Sequence, residues 1–126
     1  MNLLLDTHIL IWWLDANIAT FSQAAYDAMS NGKNLVYVSA ATAWEIAIKK
    51  ALGKLEAPDN LEEELVRHRF QSLPITISHA LAVGKLPLHH HDPFDRILVA
   101  QAKVEGLTLV TRDEKLKKYD IPFIAA

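Results

Sequence analysis

The densest packet of reactive side chains in the chain is HHHDPFDR, residues 89–96. Three chemistries suit it: transition-metal binding through histidines, a helix cap, or one corner of an acidic site completed from elsewhere in the chain. Consecutive side chains in an extended segment point to opposite sides, so His89, His90 and His91 do not readily converge on one ion. Zinc sites place their ligands at loop or helix spacing, and the chain has no cysteine to complete one. A structural or phosphate-contacting role is the expectation for these histidines. Asp92 precedes Pro93. Proline suits the first helical position and keeps its predecessor out of the helical region, so Asp92 is expected to cap a helix and could also support the site beside it. Asp95, in the first turn of that helix, is the packet's candidate for chemistry.

Three further acids raise the same question: Asp6, Glu45 and Asp113. Each of the four has a plain structural explanation. Asp6 can cap the helix that follows it, and Glu45 can pair with Lys49 at i, i+4. Asp95 is favoured in a first turn by the helix dipole, and Asp113 suits a turn. Together they imply more. Two carboxylates about 4 Å apart repel by roughly 4 kcal/mol at an effective dielectric near 20. Four at close quarters require protons or a cation. Mg²⁺ or Mn²⁺ suits such an oxygen-rich cluster and accepts phosphate oxygens as further ligands. The reaction class that follows is metal-assisted attack of water on a phosphodiester.

That chemistry depends on elements that bring the four acids together. NLLLD (2–6) is a short apolar run suited to a strand buried on both faces. LVYVS (35–39), LPITI (73–77), LTLVT (107–111) and IPFIA (121–125) read as further strands. Between them lie helical patterns at residues 7–14, 22–32, 40–55, 60–70, 78–84 and 93–106. Ser22 is the expected N-cap of the second and Gly32 its stop, and Asn60 with Glu63 has the spacing of a capping box. In the third, Trp44, Ile48, Ala51 and Leu55 recur at helical spacing.

Strand–helix alternation with short connections predicts a three-layer α/β/α domain around a central parallel sheet, residues 1–126 forming one domain. Ligands of such sheets bind outside the carboxyl ends of the strands. Asp6 ends the first strand, Glu45 lies in the helix after the second, Asp95 opens a helix and Asp113 follows the strand at 107–111. All four are therefore expected at one edge of one sheet.

Composition bounds the rest. The chain has 126 residues, 51% hydrophobic and 22% charged, enough apolar surface for a core. Its net charge of −2 offers no global attraction to nucleic acid, so such a partner must be held by a local patch. Absence of cysteine hints at a cytoplasmic setting. The apolar start MNLLLDTHILIWWLDA lacks a basic flank and is interrupted by Asp6, so neither a signal peptide nor a membrane span is expected there.

The segments LLLDTHILIWWL, VSAATAWEIAIKKALGKL, LPLHHHDPFDRILVAQA and GLTLVTRDEKLKKY cover about half the chain. In this order they resemble the PIN-domain ribonucleases, specifically the VapC-like toxins of prokaryotic toxin–antitoxin pairs. The resemblance implies a PIN fold and an endoribonuclease dependent on Mg²⁺ or Mn²⁺. The family's acidic quartet maps onto Asp6, Glu45, Asp95 and Asp113, with Thr7 where the family often has a small hydroxyl residue. A homodimer and an inhibitory antitoxin protein are implied as partners, with RNA as substrate.

Other side chains have divided expectations. Lys49, Lys50, Lys54, Arg96 and Arg112 could hold RNA phosphates or be ordinary solvated charge, the two arginines being favoured because they adjoin proposed ligands. Trp12, Trp13 and Trp44 are expected mostly in the core, with one of the adjacent pair free for a dimer or antitoxin contact. Two rival enzymes are weakened. A haloacid-dehalogenase-type phosphatase needs a second aspartate where His8 stands, and a receiver domain needs paired acids where only Asp6 is found. The rival of another class is a non-catalytic RNA-binding or regulatory module on the same scaffold.

Overall fold

The computed structural model describes residues 1–126 apart from the side chain of Ile18. Five strands form one sheet: β1 (Asn2–Leu5), β2 (Leu35–Ser39), β3 (Gln71–Leu73), β4 (Thr108–Thr111) and β5 (Phe123–Ala125). Their order is β3-β2-β1-β4-β5, and every neighbouring pair is parallel. Six helices connect them: α1 (Thr7–Leu14), α2 (Gln23–Ser30), α3 (Ala40–Ala51), α4 (Leu61–Arg67), α5 (Ile77–Val83) and α6 (Pro93–Glu105).

The period-2 alternation of strands sorts the central side chains onto two faces. Leu4 and Leu109, adjacent in register, join Leu98, Val99 and Ala102 of α6 in one core. Leu3, Leu5, Val36, Val38 and Val110 join Ile9 and Leu10 of α1, Ala25 and Met29 of α2 and Ile46 of α3 in the other. The expected three-layer α/β/α arrangement is thus present, with β1 buried on both faces. Winding reverses at β1: β2 and β3 extend the sheet one way, β4 and β5 the other. The crevice between the carboxyl ends of β1 and β4 is the switch point at which such sheets bind ligands.

Several local expectations are corrected. The third strand ends at Leu73 instead of running to residue 77, because Pro74 cannot donate to the ladder. The second helix begins after Ser22, whose side chain accepts from Ala25 N as expected. It ends at Ser30, with extended Asn31 as its cap instead of a stop at Gly32. Asn60 makes no capping bond to the helix it precedes. The capping box lies at Thr76 and His79, where the imidazole takes the place of the usual acid or amide.

The apolar stripe assigned to α3 is also corrected. Its buried face is Ala41, Thr42, Glu45 and Ile46, while Trp44 is 60% exposed. Trp44 packs its ring edge-on against Phe94 at 5.2 Å. The reason is spatial. Glu45 can point inward only where polar partners meet it, and that rotates Trp44 and Ile48 to the surface.

Candidate functional site

Asp6, Glu45, Asp92, Asp95 and Asp113 line one cleft of about 330 Å³, together with His8, Trp12, Lys49 and Arg112. Four of the five acids come from the termini of secondary structure. Asp6 is the N-cap of α1, its Oδ1 accepting from Ile9 N at 3.0 Å. Its Oδ2 accepts from the Thr111 hydroxyl at the end of β4. Asp92 is the N-cap of α6, with Oδ1 accepting from Phe94 N and Asp95 N, and Pro93 stands at the first helical position. Asp95 therefore leaves the first turn of α6 toward the crevice. Asp113 N donates to Thr111 Oγ1 at 3.0 Å, and Asp113 Oδ1 accepts from Lys115 N at 2.9 Å.

Glu45 is the exception, buried along α3 and 4% exposed. Both its oxygens are engaged: Oε1 accepts from the Thr7 hydroxyl at 2.6 Å, and Oε2 pairs with the Lys49 ammonium. The i, i+4 pair expected from spacing is present, and it forms part of the cleft wall. With its one proton given to Glu45, Thr7 Oγ1 can accept from the Thr42 hydroxyl 3.3 Å away, so one hydroxyl ties α1 to α3.

Crowding and burial set the charge state. Burial pushes the Asp95 carboxyl up to about 7, with Asp92, Glu45 and Asp6 adding repulsion. Burial also raises Asp6, against the opposing bonds from Thr111 and Ile9 N. Burial works against ionised Asp113 as well, but the bonds from Lys115 N and His90 outweigh it and hold the carboxyl below its usual range. The hydrogen bond to Glu45 raises the Lys49 ammonium, which favours its charged form.

The arginines part company. Arg112 lies over the Trp12 ring at 4.5 Å, donates through Nε to Ala126 O and through Nη2 to Thr20 O, and lines the cleft. Arg96 is corrected. Its guanidinium is committed to the loop before α6, bonding the carbonyl oxygens of Val83, Leu86, Pro87 and His90 and the Tyr119 hydroxyl. Of the lysines, Lys49 lines the cleft, Lys50 pairs with Asp59, and Lys54 is exposed. Trp13 packs with Phe21 and Tyr26, whereas Trp12, half-buried, faces the cleft beside the His8 ring at 5.7 Å.

Sequence reasoning missed one residue and left another undistinguished from its neighbours. Thr111 is fully buried and touches both Asp6 and Asp113; a hydroxyl ending a strand two residues before an acid was the available signal. Replacing Thr111 by valine keeps the shape but leaves Asp6 short of a donor. The expected loss is about 1–3 kcal/mol of stability, read by urea denaturation, with reduced activity. The other is His90, whose Nε2 lies 2.9 Å from Asp113 Oδ2 and 3.2 Å from Asp95 Oδ2. One ligand atom from each of these three residues falls within 4.8 Å of the others. His89 instead packs edge-on against Tyr119, and His91 is exposed.

Known proteins share this architecture. The PIN domain family matches residues 3–122. Ribonuclease VapC22 of Mycobacterium tuberculosis (strain ATCC 25618 / H37Rv) is 31% identical over 129 residues, covering 96% of this chain and 94% of that protein. Among solved structures, VapBC2 from Rickettsia felis bound to a promoter DNA fragment superposes with a TM-score of 0.72 at 16% identity, covering 99% of this chain and 98% of that one. DNA-bound VapBC from Salmonella typhimurium gives 0.69 at 17%, with the same coverage. A toxin–antitoxin complex from Klebsiella pneumoniae gives 0.63 at 22%, covering 97% and 95%. At these identities the solved structures speak to the fold.

Proposed function

The chain belongs to the PIN-domain family, and from that premise we propose that it is an endoribonuclease dependent on Mg²⁺ or Mn²⁺, the toxin of a toxin–antitoxin pair. One observation carries the reading: carboxylates from four distant stretches of sequence line one cleft at the switch point of a parallel sheet. The curated relative is a ribonuclease, and solved relatives are VapBC complexes, which supports an antitoxin partner here.

The donor set fits a hard divalent cation. It is rich in carboxylate oxygen, and burial together with repulsion from Asp92, Glu45 and Asp6 pushes Asp95 up to about 7, as suits a site that a cation would complete. Asp6, Glu45, Asp95 and Asp113 are the residues that would hold it. A bound Mg²⁺ or Mn²⁺ supplies acidification of the attacking water and charge stabilisation at the leaving oxygen.

The chain's own side chains supply the rest. Lys49 and Arg112, on the cleft wall, offer charge to the phosphates flanking the scissile bond. Thr7 fixes Glu45, Thr111 fixes Asp6, and Asp92 fixes the turn that presents Asp95. Hydrolysis forms a bond from water oxygen to phosphorus and breaks the bond from phosphorus to the leaving ribose oxygen. A homodimer in the cytoplasm belongs to the same reading. The dimer is supported by the exposed apolar residues Trp44, Ile77 and Leu81; no helix among the described residues is long and apolar enough to cross a membrane.

The test is cleavage of total RNA by the purified chain. Cleavage is expected with Mg²⁺ or Mn²⁺, and is expected to vanish with EDTA and in Asp6→Ala. Cleavage that persists in EDTA, or equally in the variant, rules the mechanism out. A wild-type chain that binds RNA without cutting it under any divalent ion would favour the non-catalytic module.

A further inference from the structure

Resting on the nuclease reading, we infer that His90 is a positioning residue that bridges Asp95 and Asp113 through one fixed tautomer, and is not a ligand of the metal. The deciding contact is on the far side of the ring. His90 Nδ1 lies 3.0 Å from Asp92 N, in hydrogen-bonding geometry. A backbone N–H only donates, so Nδ1 carries a lone pair. In a neutral imidazole the proton then resides on Nε2.

Nε2 faces the two carboxylate oxygens, Asp113 Oδ2 at 2.9 Å and Asp95 Oδ2 at 3.2 Å. An N–H shared between two acceptors satisfies all three groups. The opposite tautomer would set an Nδ1–H against the Asp92 N–H and an Nε2 lone pair against two carboxylates. His90 thus presents a donor where a metal ligand must present a lone pair, although its nitrogen sits within ligand distance of both aspartates.

The ring is also held where it is. The His90 backbone N–H donates to the Tyr119 hydroxyl at 3.0 Å, and His90 O accepts from Arg96 at 3.3 Å. Its side chain is only 12% exposed. Asp95 rides on α6 and Asp113 follows β4, elements whose core packing fixes their backbones but leaves the two carboxylates to be linked side chain to side chain. The shared N–H makes that link, and the donors left to an ion are carboxylate oxygens. An all-oxygen set favours Mg²⁺ or Mn²⁺ over Zn²⁺, which takes imidazole nitrogen readily.

Two measurements on the full chain without RNA test this, so that their outcome is independent of whether RNA is cut. Long-range ¹H–¹⁵N spectra of the histidines, assigned with His90→Gln, are expected to show His90 as the Nε2–H tautomer with and without saturating Mg²⁺. A Nδ1–H pattern, or a change of tautomer on adding Mg²⁺, overturns the inference. Calorimetry with Mg²⁺ alone is expected to show His90→Ala weakened about tenfold, as for a residue that orients ligands. His90→Gln, which keeps an N–H donor at reach, should recover most of that affinity. Equal loss in both variants overturns the bridging role. Should wild type bind neither Mg²⁺ nor Mn²⁺, the nuclease reading fails, while the tautomer spectrum still decides the bridge.

Discussion

Asp95→Asn is expected to lose at least a hundredfold in RNA cleavage while raising the melting temperature of the metal-free protein. The two effects have one cause. Asp95 is largely buried, among Asp92, Glu45 and Asp6, which pushes its carboxyl up to about 7 from an ordinary 3.8. A carboxyl whose folded value is raised binds its proton more tightly in the folded state than in the unfolded chain. Stability is therefore greatest below the unfolded value and is lost as pH rises from about 4 through about 7. A gap of that size corresponds to at most about 4 kcal/mol at pH 8. Asparagine cannot ionise, so the variant escapes the loss. In a chain of this length the gain is on the order of 10 °C. Thermal melts in EDTA at pH 8 and pH 5 check it. The advantage of the variant should be large at pH 8 and shrink toward pH 5. A variant melting below wild type at pH 8 would make Asp95 a structural residue, and one that still cuts RNA at the wild-type rate would remove it from the site.

Arg96 carries the second large effect, on the fold. Its two terminal nitrogens bond four carbonyl oxygens between residues 83 and 90 and the Tyr119 hydroxyl. That stretch lies between α5 and α6 and has no sheet or helix ladder of its own. A charged donor is worth about 1.5–3 kcal/mol per hydrogen bond, and groups left without partners in a part-buried loop add to the loss. Arg96→Ala is expected to cost about 3–5 kcal/mol in chemical denaturation, the bonds being far from additive. Arg96→Lys should recover little, because one ammonium cannot span the fork of the guanidinium. Loss of under about 1 kcal/mol in both variants would show the loop to be held by other contacts. The same variants should weaken Mg²⁺ binding, because the His90 carbonyl and the Tyr119 hydroxyl belong to this network.

Much of the architecture was legible because it rests on local signals. Strand-length apolar runs alternating with helical patterns lead to a parallel sheet, and that sheet places strand-end acids at one edge. Asp92–Pro93 and Ser22 announced helix starts, and both cap as expected. The errors share a physical origin. Asn60 and Glu63 had the spacing of a capping box, but the backbone at Asn60 leaves the extended region such a cap requires. The α3 stripe through Trp44 and Ile48 had the right period and the wrong face. Periodicity reports that a helix has an apolar side, while the neighbours decide which side is covered.

The sequence by itself determined the layered fold, the positions of the acids relative to strand ends and the family. Those depend on residue type, periodicity and order along the chain. The tertiary structure alone decided the partners. Thr111 meets Asp6 across 105 positions, Arg96 meets Tyr119 across 23, and His90 meets Asp113 across 23. It also decided that Trp12 faces the cleft with Arg112 on its ring, while Arg96 turns to the loop. Hydrogen bonds and charge crowding are short-range in space and indifferent to separation in sequence. The three histidines could therefore be read only as a cluster, until the fold set one of them between two carboxylates with the Asp92 N–H behind it.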